Sequence, residues 1–187
     1  MSEKSQLVLM AEYNQLMNQR LFTASANLSH TSLNENKGAF FESIIQTLNH
    51  IMIGDILWLK RFMNHPTGYT SLEKVNEYPS AEKLDQILFD DFTTFSSRRK
   101  ALDKIIIEFC NELNEKDLDN PLSYVNFKKE EHCKKFGSLI LHVFLHQIHH
   151  RGQVTTLLSQ ENIDFGETDI PEIVEDENQM QPINSTH

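Results

Sequence analysis

Apolar residues recur at three- and four-residue steps along four long stretches of this chain, and that spacing is the strongest constraint on its fold. On a helix such positions share one face, so each stretch reads as an amphipathic helix that must bury a stripe against its neighbours. The first runs from about Glu3 to Asn27, with Leu9, Tyr13, Leu16, Met17, Leu21 and Ala24 in the stripe. The second runs from about Glu35 to Met63 through Phe40, Ile44, Leu48, Ile51, Met52, Ile56 and Leu59, and stops at Asn64-His65-Pro66. The residue before a proline is pushed out of the α region, which ends it there. The third follows Pro79, with Ser80 as N-cap and Leu84, Ile87, Leu88, Phe92, Phe95, Leu102 and Ile106 leading to about Leu113. The fourth runs from Gly137 or Ser138 to about Gln160. Only six Gly and five Pro in 187 residues leave these stretches unbroken.

Four such helices make an all-α four-helix bundle, and the long connection from Asn64 to Pro79 allows one crossover. Between the last two helices, Leu122 to Phe127 and His132 to Phe136 flank the charged Lys128-Lys-Glu-Glu131, the pattern of a short β-hairpin. Residues 1–165 form the bundle domain. Residues 166–187 form an acidic, irregular tail poor in aromatics.

Eight acidic residues and no Lys or Arg follow position 160, so the formal charge of −10 falls to −2 for the rest of the chain. Neither part carries the clustered basic face that phosphate recognition requires, and no nucleic-acid partner is expected. No apolar run approaches the roughly 20 residues of a membrane span. The amino terminus lacks the basic start and apolar core of a signal peptide. The expected location is therefore cytoplasmic. Cys110, set among Ile105, Ile106 and Phe109, reads as a buried thiol rather than half of a disulfide with Cys133.

Four of the nine histidines crowd between Leu139 and Gln153. His146 and His150 are four apart, so their imidazoles leave one helix face together and can reach one ion at roughly 2.0–2.1 Å. The spacing is that of a zincin protease, but position 147 is Gln and not the Glu that serves as general base, which excludes proteolysis by that route. A di-iron carboxylate bundle is excluded too, because Leu139 to Gln153 contains no Glu. His50, in the middle of the second helix, is the best third ligand. Gly54, one turn on, weakens that helix by about 1 kcal/mol relative to Ala, which suggests that room is needed beside His50. His142 extends a geometrically allowed ladder with His146 and His150. It is assigned behind the ligands or in the core, and His149 to packing or an interface.

The segment His142 to Gln153, closing on His150-Arg151-Gly152-Gln153, resembles the HRGQ signature of the DinB family of small bacterial metal-binding bundle proteins. His50, Asp55 and Trp58 are similar to that family's second-helix pattern, and Tyr13-Asn14 with Asn18 and Arg20 to its opening motif. The resemblance spans the first 153 residues, in the family's order. It implies a bundle in which His50, His146 and His150 bind a divalent metal (Zn, Ni, Mn or Fe) with an open position, and commonly a homodimer. It also implies, for some members, transfer or isomerisation chemistry with a low-molecular-weight thiol. Asp55 then either orients a histidine or lies on the surface, and Trp58 is core or substrate wall. Gln153 is placed to touch a water on the metal, and Tyr13 and Asn14 line a pocket or pack helix 1. Three functions follow: a metal-dependent thiol transferase acting on an electrophilic small molecule, a metal-dependent hydrolase, or a non-catalytic stress-response or sensor module.

Overall fold

The structure is a computed structural model that describes residues 1–174 and residue 176. Five α-helices, α1 (Glu3–Ser25), α2 (His30–Asn34), α3 (Ile44–Phe62), α4 (Phe92–Glu112) and α5 (Phe136–Gln160), are joined by short 3-10 turns and one β-hairpin. The four long helices form a bundle around the core. α1 packs on α4, α4 on α3, α3 on α5, and α5 returns to α1.

Contacts along each pair give the directions. Phe22 meets Phe95 while Asn18 meets Asp103, so α1 and α4 are antiparallel. His50 faces His150 while Phe62 faces Phe136, so α3 and α5 are antiparallel as well. α3 and α4 run the same way, because Asp55 pairs with Arg99 and Phe62 with Phe109. The connection from Asn64 to Asp91 is therefore the crossover that the long loop allowed.

Two helix starts differ from those expected. The second helix begins not at Glu35 but after Ser43, whose hydroxyl accepts from the Gln46 amide at 3.2 Å. Residues 35–43 instead make a tight turn: Gly38 and Glu42 have φ of 70° and 59°, and the Lys37 amide donates to the Glu42 carbonyl at 2.7 Å. The third helix begins not at Ser80 but after Asp91, whose carboxylate accepts from the Thr94 amide at 2.7 Å. Upstream, the backbone is spent on α3. Asn49 Oδ1 accepts from the Leu88 and Phe89 amides at 2.9 and 3.0 Å, and Gln46 donates to the Asp85 carbonyl. Amides and carbonyls so committed are lost to a helical ladder. The short α2, which His30 opens, lies in the gap between the first two stretches of helical spacing.

The hairpin forms as expected, from β1 (Pro121–Val125) and β2 (Glu131–Lys135), antiparallel with Tyr124 opposite His132. Cys110 and Cys133 are both free, and burial pushes the Cys110 thiol up to about 12. The described part of the tail is docked and not dangling. Tyr13 Oη donates to the Thr168 carbonyl at 2.6 Å, Arg20 pairs with Glu172 at 2.9 Å, and Ile170–Ile173 form a 3-10 turn. The expectation for residue 175 and residues 177–187 lies outside the described residues. Among the described residues, no helix is long and apolar enough to cross a membrane.

At mid-height the core turns polar. Asn14 and Asn18 from α1, Asp55 from α3, Arg99 and Asp103 from α4, and Gln147 and Arg151 from α5 are all buried. Arg99 bridges Asp55 and Asp103, both Asn donate to Asp103, and Gln147 Nε2 donates to Asp55 at 3.0 Å. Arg151 donates to Asn14 and to Gln147 Oε1. Two cations and two carboxylates leave no net charge. Because all four long helices contribute, the network fixes their relative heights: a shift of one turn would strand a buried charge, at several kcal/mol.

Candidate metal centre

One helical step from Asp55 and Gln147, on the seam between α3 and α5, three histidines converge. His50, His146 and His150 each offer a nitrogen, and these nitrogens lie within 4.8 Å of one another. His50 Nε2 and His146 Nε2 are 3.1 Å apart. Two nitrogens each 2.0–2.1 Å from a shared ion, at angles between 90° and 110°, stand about 2.8–3.4 Å apart, so this separation is that of a chelating pair.

The ring orientations are set from behind. His50 Nδ1 lies 2.8 Å from the Leu84 carbonyl, an acceptor only, so Nδ1 carries the proton and Nε2 presents its lone pair to the cluster. His150 Nδ1 lies 2.8 Å from Gln153 Oε1, which directs its Nε2 inward in the same way. Such outer hydrogen bonds are what fix the tautomer of metal-ligating imidazoles. Phe41 caps the cluster, stacked on His50 with ring centroids 3.9 Å apart and edge-on to His150 at 5.5 Å.

Gly54 has the role its cost implied, but for a different histidine. A Cβ there would stand 2.9 Å from His146 Cε1 and 3.2 Å from its Nδ1. The room is for the His146 ring, which crosses from α5 against α3.

All three imidazoles are held neutral. Burial, then the neighbouring His150 and His50, push His146 down to about 3. Burial lowers His50 and His150 below the ordinary 6.5 despite the hydrogen bonds they donate to Leu84 and Gln153. Neutral, inward-facing imidazoles suit a divalent cation, and the donor set fits one. Among the described residues no fourth His, Cys, Asp or Glu joins the group.

The remaining residues singled out in the sequence divide between the cluster's surroundings and the core. Gln153 touches His150, as described. His142 is exposed and not in the core: it lies one turn from His146, with centroids 6.0 Å apart, and leans on Trp58 at 5.3 Å. Trp58 is half-buried, packed between Phe62 and Tyr124. Asp55 touches no histidine and is fully buried: burial raises its carboxyl to about 6 against the pull of Arg99. Asn14 belongs to the same network, and Tyr13 anchors the tail. His149 is exposed on the rim, its ring 4.8 Å from that of His150.

Two contributors were not singled out in the sequence. Phe41 reaches His50 only through the unexpected turn before α3, and Leu84 only through its unwound segment. Arg99 and Asp103 carried a readable signal: Arg99 interrupts the stripe Phe95, Leu102, Ile106, and Asp103 lies four residues on.

Protein DinB of Bacillus subtilis (strain 168) is 25% identical over 160 residues, covering 84% of this chain and 87% of that protein. No solved structure matches the chain. The DinB family model matches residues 1–175, past Phe165 and into the docked tail. Over that span, with the bundle and the histidine cluster in place, the chain belongs to the DinB family.

Proposed function

We propose that His50, His146 and His150 hold a divalent metal with one side open, and that the protein uses it to transfer a low-molecular-weight thiol to an electrophilic small molecule. The observation that carries the metal reading is the convergence of three neutral imidazoles within 4.8 Å, two of them with Nδ1 fixed by an acceptor. A divalent ion with three neutral ligands supplies Lewis acidity and lowers the pKa of a thiol or water that reaches it.

The chain's own part is orientation and shielding. Leu84 and Gln153 aim two rings, Gly54 leaves space for the third, and Phe41 excludes water from the His50 side. Gln147 is buried and spent on Asp55 and Arg151, so the position that carries a general base in zincins offers none here. That favours a nucleophile ionised at the open side over hydrolysis assisted by a protein base. A cytoplasmic homodimer completes the reading. The exposed Leu141, Leu145 and Ile148 on α5 offer an apolar face for a second copy.

Metal content of tag-free protein tests the first step. The wild type should hold stoichiometric divalent metal, and His50→Ala, His146→Ala and His150→Ala should each lose it. Unchanged content in all three variants would refute the site. A thiol panel against a generic electrophile tests the second, since no metal-dependent rate with any thiol would leave a non-catalytic sensor or stress-response module.

A further inference from the structure

The seam between α3 and α5 continues beyond the histidines. From the level of Gly54 and His146 it passes Trp58 and His142, whose rings are 5.3 Å apart, and ends at Arg61. Seven residues separate Gly54 from Arg61, which at 1.5 Å per residue is about 10 Å along the helix. The Arg61 guanidinium lies 4.5 Å from the Trp58 ring centroid and 4.9 Å from that of Tyr124, and it donates to the Val125 carbonyl at 2.9 Å. Two aromatic faces and one backbone acceptor thus hold it in place.

Its charge is unanswered. Arg20 pairs with Glu172, Arg99 with Asp55 and Asp103, and Arg151 is taken up by Asn14 and Gln147. Arg61 meets no carboxylate among the described residues, although it is half-buried and braced. A guanidinium has five N–H donors in a planar fork suited to carboxylate, and one bond to Val125 leaves most of them free. Aromatic stacking restricts the side chain before any ligand arrives, so little more ordering is needed when one binds.

We propose that Arg61, braced by Trp58 and Tyr124, is an anion subsite that takes the carboxylate of an acidic low-molecular-weight thiol whose sulfur reaches the three histidines. This rests on the thiol reading above and narrows it to thiols with a negative charge about 10 Å, or two helical turns, from the sulfur. The Trp58 and His142 rings lie between the two ends. The hairpin gains a role with this: Tyr124 and Val125 hold the Arg61 guanidinium at the far end.

Cobalt(II)-loaded protein titrated with glutathione, and separately with its diethyl ester, tests it through thiolate-to-cobalt charge-transfer absorption. Loss of one charge-assisted contact should weaken the ester's binding about tenfold relative to the free acid. Arg61→Gln should bind both alike, at the ester's affinity, and Arg61→Lys should keep part of the preference. Added salt should erode the preference in the wild type. Equal binding of acid and ester by the wild type would overturn the Arg61 assignment alone, whatever the variants' folding. No charge-transfer band with either thiol would instead overturn the thiol reading, and this subsite with it.

Discussion

Replacing Gly54 with alanine should move stability and metal affinity in opposite directions. In a helix interior Ala is favoured over Gly by about 1 kcal/mol. The new methyl, however, would stand 2.9 Å from His146 Cε1 and 3.2 Å from Nδ1. Carbon contacts are comfortable at roughly 3.5–4.0 Å, so the ring must retreat by about 0.6 Å or more. Without metal that retreat is easy, because His146 is only half-buried and the atoms that yield are the far end of one side chain. With metal it is not, because ligand distances tolerate only about 0.2 Å. The metal-free variant should therefore melt at the wild-type temperature or up to ~4 °C higher, the shift that 1 kcal/mol gives a domain of this size. Its metal affinity should fall about 10- to 100-fold, the range seen when a ligand's support is disturbed. Thermal melts in chelator and competition against a chromophoric chelator measure the two quantities. Wild-type affinity would refute the placement of His146, and destabilisation beyond about 2 kcal/mol would show that the ring is locked by packing.

Gln153→Ala should free His150 Nδ1 and weaken metal binding by about 10- to 100-fold with little change in the metal-free melt. An unchanged affinity in the same competition assay would remove Gln153 from the site. Asp55→Ala breaks a buried ion pair and leaves Gln147 without its acceptor, so denaturant unfolding should show a loss of about 3–5 kcal/mol. A loss below about 1 kcal/mol would mean that the network does not hold the helices in register. Glu112 caps the turn Thr70–Glu77: burial alone would raise its carboxyl, but hydrogen bonds from Ser71 and Thr70 prevail and hold it at about 2. Because the folded value lies below the ordinary 4.5, its contribution is complete above pH 4.5 and vanishes as pH falls towards about 2. The gap in denaturant midpoint between wild type and Glu112→Gln should therefore be full at pH 6 and close on acidification. A gap independent of pH would contradict the cap.

Periodicity was enough for the four long helices, because an amphipathic stripe states its own period whatever it packs against. It was enough for His146 and His150 as well, since a four-residue step on a helix fixes a shared face before any tertiary contact forms. The starts of α3 and α4 were not legible in this way. Residues 35–43 and 79–91 carry apolar residues at helical spacing, yet Asn49, Gln46 and His50 claim the backbone of 84–89 from another helix. A local pattern holds no record of such competition. For the same reason Asp55 was open to readings at the metal site or the surface, and Asn14 to readings in a pocket or in the packing of helix 1, when their partners, Arg99, Asp103 and Arg151, lie on helices far along the chain. What the sequence determined by itself is the set of helices and the facing of their histidines. Tertiary structure alone decided which ring Gly54 makes room for, what aims His50 and His150, and where the buried charges balance, because each depends on groups brought together only by packing.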